Sequence, residues 1–282
     1  MKKQALKPVL FALLVALAAA ACEKDPVTDP NPNPNPIPPQ QQLPNPLPAG
    51  ALVSKLKWTD NDYYDFAYNA QNQVSHLHSQ WQYEEGDPTK IRSVDYDFQY
   101  DAQNKPIQIN YTGGFSTKFS YHGNLVHRTK EFYPGGDWSR EVTYIYADNR
   151  IKQEVWHVNG LPGEPVDVYK YEFGYDAKGN LAKVETYEQV TDSTSGQQQY
   201  KLLETTEYSD FDDKINPTSW MLRYPYLPQV RWQFNNPRRA VRRLADGTLQ
   251  TTTHEYEYNG EGLPVAKRTT SAGGTQTMTY SY

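Results

Sequence analysis

The stretch that decides the fold is Tyr171-Glu172-Phe173-Gly174-Tyr175-Asp176-Ala177-Lys178-Gly179-Asn180-Leu181. Its first half alternates: Tyr169, Tyr171, Phe173 and Tyr175 fall on one side, and Lys170, Glu172, Gly174 and Asp176 on the other. That period of two marks a strand with one aromatic face. Its second half, Asp-x-x-Gly-Asn, is turn chemistry, because Asp and Asn side chains fold back on the local backbone and Gly accepts positive φ.

The unit recurs. Related copies run from 64 to 74 (Tyr68-Asn69-Ala70-Gln71-Asn72), 96 to 107 (Tyr100-Asp101-Ala102-Gln103-Asn104), 119 to 125, 144 to 151 and 256 to 263, with degenerate copies at 208 to 216 and 232 to 241. From Tyr68 to Tyr258 the anchors are about 27 residues apart on average, the length of two strands and two turns. Val94, Tyr96, Phe98 and Tyr100 repeat the alternation, as do Val230, Trp232 and Phe234. A second class of turn lies between the copies, at Gly113-Gly114, Gly135-Gly136, Asn159-Gly160, Asp246-Gly247 and Gly273-Gly274, which suit tight hairpins. Turns that alternate between two edges predict an all-β, up-and-down antiparallel meander of roughly 16–18 strands. So long a sheet has unsatisfied edges, and the expectation is that it curls into a barrel or half-barrel.

The 282 residues have a mean hydropathy of -0.83 but include 23 Tyr, 6 Trp and 9 Phe. Those rings supply the burial that a disordered chain lacks. The organisation divides into three segments: 1–21, 22–50 and 51–282. In the first, Lys2, Lys3 and Lys7 precede an apolar run, Val9 to Ala21, of 13 residues. That is short of the ~20 needed to span a bilayer and reads as a signal peptide. Its removal takes the formal charge from -5 to about -8, so nucleic acid is excluded as a partner. Cys22 is the only cysteine, which forbids an intrachain disulfide. Between Pro26 and Pro48 the chain is dominated by Pro and Asn, an extended spacer reaching up to ~75 Å.

Ala19-Ala20-Ala21-Cys22 resembles the bacterial lipoprotein signal, which implies cleavage before Cys22 and a lipid on its thiol. Glu23, Lys24 and Asp25 resemble the charged tag of surface-exported lipoproteins in Bacteroidetes. The Tyr-Asp-x-x-Gly-Asn-Leu unit resembles the YD repeat of RHS-type proteins. Together with the signal, the tether, Asp210 to Pro217 and Asn235-Asn236-Pro237, it makes residues 51–282 similar to a Bacteroidetes lipoprotein family of unknown function with a porin-like fold. The resemblance implies a fold and a place, the outer membrane, with the lipid at Cys22 as the membrane contact. It brings no catalytic residues.

Chemistry-bearing motifs are sparse. No Gly-x-Ser-x-Gly, His-Glu-x-x-His or phosphate-cradling glycine loop occurs, so neither an enzyme nor a cofactor is expected. His76 and His78 share a strand face, and Asp60-Asn61-Asp62 and Asp210, Asp212 and Asp213 are oxygen-rich, but none has metal-ligand spacing and no metal site is assigned. Between Ser209 and Gln229 the period breaks around Pro217, Pro225 and Pro228. Interruptions of regular scaffolds carry recognition, so Trp220, Tyr224 and Tyr226 are the candidate ligand contacts. The expected role is structural or interactive, with an envelope protein as partner. The alternative is capture of a glycan or other ligand on exposed aromatic rings, and a transmembrane barrel or hydrolase ranks behind both. Tyr at successive same-face positions would strand hydroxyls in hydrocarbon, so the folded part is expected to be soluble.

Overall fold

Alternating strands and two turn classes do close into a barrel. The computed structural model describes residue 47 and residues 50–84, 86–159 and 166–282, all within one unit, Gln40–Tyr282. The signal, Cys22 and the tether as far as residue 46 lie outside the described residues. The first eight strands are β1 Lys55–Lys57, β2 Tyr63–Tyr68, β3 Val74–Gln82, β4 Ile91–Tyr100, β5 Pro106–Tyr111, β6 Ser116–His122, β7 Leu125–Phe132 and β8 Trp138–Ala147. The rest are β9 Arg150–Val158, β10 Asp167–Tyr175, β11 Leu181–Thr191, β12 Gln198–Ser209, β13 Arg239–Leu244, β14 Leu249–Tyr258, β15 Pro264–Ser271 and β16 Gly274–Ser281. Each pairs antiparallel with its sequence neighbour, and β1 joins β16 with Leu56 opposite Tyr280, which leaves no open edge.

The two turn classes occupy opposite rims. On the lower rim one hydrogen-bond pattern recurs, and it explains the repeat. Asn69 Oδ1 accepts from the N–H groups of Gln71 and Gln73 (both 3.0 Å), and Asp101 from Gln103 and Lys105 (2.9 and 2.8 Å). Asp176 accepts from Lys178 and Asn180 (2.9 and 2.8 Å), and Asn259 from Glu261 and Leu263 (3.0 and 2.9 Å). Three residues after each of these side chains the backbone takes positive φ: 60° at Asn72, 61° at Asn104, 93° at Gly179 and 78° at Gly262. This is why the position is Gly or Asn.

The tyrosine before each turn has its own task. Tyr68, Tyr100, Tyr121 and Tyr175 donate their hydroxyls to the carbonyls of Val53, Val74, Pro106 and Ile151, at 2.7 to 2.8 Å. Each ring therefore packs inward while its polar tip is satisfied by the neighbouring strand. Tyr282 does the same to Pro264 (2.8 Å) at the C-terminal end.

The aromatic face is the inner one. Leu56, Phe66, Leu77, Tyr96, Phe98, Ile109, Val142, Phe173 and Val184 are buried inside the barrel. Outside stand charged rungs such as Lys55–Asp65 (3.1 Å), Lys130–Glu141 (3.5 Å), Lys183–Glu185 (2.8 Å) and Arg268–Glu255 (3.6 Å). Such rungs stand where the strands of a lipid-facing wall carry an apolar band.

Residues 210–238 depart from the meander. The alternation of Val230, Trp232 and Phe234 does not make a strand. These residues lie in bends, with one isolated bridge, Ile215 to Asn235, and so the two degenerate copies are the flanks of an insert between β12 and β13. Leu181 N–H bonds Trp232 carbonyl (2.6 Å) and Gln233 Nε2 bonds Leu181 carbonyl (3.3 Å), which ties the insert to the lower rim. Trp232, with no exposed surface, packs on Phe173 at 5.0 Å between ring centroids. Of the three only Trp232 is fully buried, and Gln233 beside it is buried as well, so the period of two here does not mark the two faces of a strand.

Candidate functional site

The insert turns into the barrel, and its tip forms the polar centre of the lumen. A 3₁₀ turn, Ser219–Met221, carries Trp220 against Phe66 and Phe98, at centroid distances of 6.0 and 6.5 Å. Tyr226 is buried edge-on to Tyr96 (5.8 Å), and Tyr224 lies near Tyr111 (6.2 Å). The three residues singled out from sequence are thus brought together, but they face inward onto β2, β4 and β5. Tyr226 is withdrawn into the core, and Trp220 and Tyr224 are half-buried. An external contact surface on these rings is not what the fold builds.

Between Trp220 and Tyr226 two clasps join insert and wall. Arg223 Nε donates to Glu154 Oε2 at 3.0 Å, and Trp156 Nε1 donates to the same oxygen at 2.8 Å. The guanidinium lies 4.0 Å above the Tyr171 ring, a favourable cation–π contact in a desolvated place. In the second clasp Glu131 accepts from Arg140 Nη2 and Ser139 Oγ, both at 2.8 Å, and from the Tyr224 hydroxyl. Burial, the largest single influence, would lower the Arg223 pKa, but Glu154 together with Tyr171 and Tyr208 outweighs it and holds Arg223 above the ordinary arginine value. At Arg140 burial is likewise the largest influence and is outweighed by Glu131, Tyr224 and Tyr111 together. Burial pushes the Tyr224 and Tyr226 hydroxyls well up, so both stay protonated as donors. Every charge of the two clasps is matched, and their chemistry is that of a lock between plug and wall.

The plug covers the aromatic half of the wall, β2 to β10. The other half, β12 to β16, presents polar inward positions that stay half-exposed: Glu204, Arg242, Thr252, His254, Lys267 and Thr269. Half-exposure on an inward face means that the lumen there is open to solvent. The chain enters at the lower rim, where Gly50 lies beside the 259–263 turn, and the plug is rooted in the same rim. The upper rim carries the glycine turns. Trp58 continues the inward phase of Leu56, is 36% exposed and stands edge-on to Tyr64 at 5.5 Å. Trp81 continues the phase of Leu77 and Ser79, and Trp156 that of Glu154. In the sequence these rings belong to the six tryptophans, Trp58, Trp81, Trp138, Trp156, Trp220 and Trp232, that offer platforms for a sugar face, of which Trp220 alone is among the candidate contacts. The signal that finds them is a tryptophan in the inward phase, at the strand end next to a glycine turn.

The weaker sequence candidates have structural partners. His76 Nδ1 lies 2.8 Å from Asp97 and His78 Nδ1 2.6 Å from Asp95, on the outer wall, and the bond to His78 is the main cause holding Asp95 below the usual carboxylate range. Asp60 pairs with Lys57 (2.5 Å). Asp62 Oδ1 accepts the Gln82 N–H (3.0 Å), and Asp212 accepts the N–H groups of Lys214 and Asn236 and the Tyr258 hydroxyl. Among the described residues no group of three or more His, Cys, Asp or Glu side chains could hold a metal ion.

No protein-family model matches the sequence, and no curated protein matches it. Solved structures do match the fold. A porin-like protein from Bacteroides uniformis ATCC 8492 is similar at a TM-score of 0.54 and 12% identity, over 82% of this chain and 96% of that one. A porin-like protein from Bacteroides vulgatus ATCC 8482 is similar at 0.55 and 12%, over 82% and 98%. At such identity the likeness is one of fold: this chain is a porin-like β-barrel of 16 strands, with a charged outer wall and a lumen half filled by its own insert.

Proposed function

We propose that the chain is a cell-envelope lipoprotein, held at the outer membrane through Cys22, whose barrel captures a soluble ligand at its upper mouth. One observation carries the reading. The entry of the chain at Gly50 and the root of the plug share the lower rim, so the opposite mouth, with Trp58 and Trp81 in the inward phase, is the free end of the lumen. The fold likeness to Bacteroides porin-like proteins and the resemblance to Bacteroidetes surface lipoproteins support an envelope location. The charged outer wall supports a barrel that stands in water on a tether. Flat, half-exposed rings favour sugars, whose apolar faces stack on them. Such capture requires no catalysis and no cofactor.

A glycan array probed with the full chain tests the reading: binding that is lost in Trp58→Ala and Trp81→Ala supports it, and binding unaffected by both contradicts the mouth as the site. The second reading is an interaction protein that docks an envelope partner on its outer wall. A shallow depression of about 350 Å³ beside Gly174, with Ile145 exposed at its edge, favours that reading. An array without a single hit moves the balance to it.

A further inference from the structure

The inward row that crosses β1, β16, β15 and β14 combines an aromatic ring and a cation with no counter-charge. Lys57 stands opposite Thr279, so Trp58 continues that register towards Met278. Met278 stands opposite Lys267, and Lys267 opposite Tyr256. Two strand spacings therefore separate Trp58 from Lys267, about 10 Å, the reach of a disaccharide. We propose that this row is a subsite for an acidic carbohydrate: a sugar ring stacks on Trp58 and its carboxylate meets Lys267. The proposal deepens the ligand-capture reading and rests on it.

Lys267 sits on a β-barrel wall as a cation without an acid. Among the described residues its ammonium has no hydrogen-bond or ion-pair partner, and it lies 5.7 Å from the centre of the Tyr256 ring. The inward carboxylate on this half of the wall, Glu204, is taken by Arg242 (Nε to Oε2, 2.7 Å). Asp212 of the insert is taken by Tyr258 and Asn236. His254, the remaining titratable group on that wall, is bonded to Thr269 (3.1 Å). Burial and the charge of Lys267 hold His254 down to about 3, so at neutral pH it is an uncharged hydrogen-bonding group. Burial alone brings Lys267 down to about 8, which leaves it mostly protonated at pH 7. The row leaves this cation with no carboxylate beside it, in a chain whose net charge is -5. A bound carboxylate would supply the missing partner. Thr269, one inward position nearer the upper mouth, offers a further donor to the same anion.

Titration calorimetry of the full chain with digalacturonate, lactose and inorganic phosphate tests this. Digalacturonate is expected to bind at least tenfold more tightly than either of the others. Lys267→Met should bring it down to the level of lactose, and Lys267→Arg should restore most of the difference. Trp58→Ala should weaken digalacturonate and lactose alike. Equal affinity of wild type for the acidic and neutral disaccharides overturns the acidic subsite and leaves ligand capture standing. Phosphate binding as tightly as digalacturonate overturns the sugar assignment. Absence of binding by both sugars overturns the subsite and the capture reading together. Circular dichroism of each variant confirms that the barrel is folded.

Discussion

Arg223 of the insert and Glu154 of β9, 69 positions apart in the chain, meet at 3.0 Å inside the barrel. Glu154 is 2% exposed, so water cannot take the place of Arg223 beside it. Glu154→Gln or Arg223→Met should each cost about 3–5 kcal/mol, because each leaves a buried group uncompensated. The double variant should cost less than the two single losses combined. Urea unfolding followed by tryptophan fluorescence measures all three.

The tyrosine before each lower-rim turn makes a second, separable contribution. Tyr175→Phe removes the 2.8 Å bond to the Ile151 carbonyl and is expected to lose about 1 kcal/mol. Tyr169→Phe, higher on the same strand with its hydroxyl away from that rim, should change stability by less than about 0.5 kcal/mol. Equal losses in the two variants would deny the ring of hydroxyl-to-carbonyl bonds its part in the fold.

Acid should act through His254. Its ordinary value of 6.5 falls to about 3 in the folded chain, through burial and the neighbouring charge of Lys267. Unfolded chains therefore bind a proton near pH 6.5 that the folded chain refuses. This part of the stability is present above pH 6.5 and drains away as the pH falls towards 3. Thermal melts at pH 7.5 and 4.5 should show a smaller acid drop in His254→Gln than in wild type.

Lys267 should trade stability for function. Desolvation lowers it from 10.5 to about 8, so at pH 7 the folded state carries a disfavoured cation. Replacement by Met removes that penalty and keeps the stem of the side chain. Lys267→Met is expected to gain about 1 kcal/mol, a rise in Tm of roughly 2–4 °C. A lower Tm would mean that the ammonium has a stabilising partner.

Much of this architecture is legible from residues alone. Tyr100-Asp101 and Tyr175-Asp176 state the strand end, the side-chain-capped turn and the rim tyrosine in adjacent positions, and the glycine pairs state the other rim. The insert is not legible in the same way. Val230, Trp232 and Phe234 have a strand's period although only Trp232 is fully buried, and only tertiary contacts distinguish that from a ladder. The breaks at Pro217, Pro225 and Pro228 mark where the meander stops but carry no direction, so Trp220, Tyr224 and Tyr226 read as an outer surface when they are a plug. Lys267 went unnoticed because its meaning lies in what surrounds it: an inward phase and the absence of an acid, neither of which is written next to it in the chain.

The plug is the claim on which the open mouth, the luminal row and the two clasps all depend. Its most direct test is the reactivity of Trp220→Cys in a Cys22→Ala background, since the native Trp220 ring lies 6.0 Å from that of Phe66 on the inner wall. A polyethylene glycol maleimide should fail to reach this thiol in the folded protein and should modify it once denaturant is added. Rapid modification in the folded protein would place the insert outside the barrel and contradict the account.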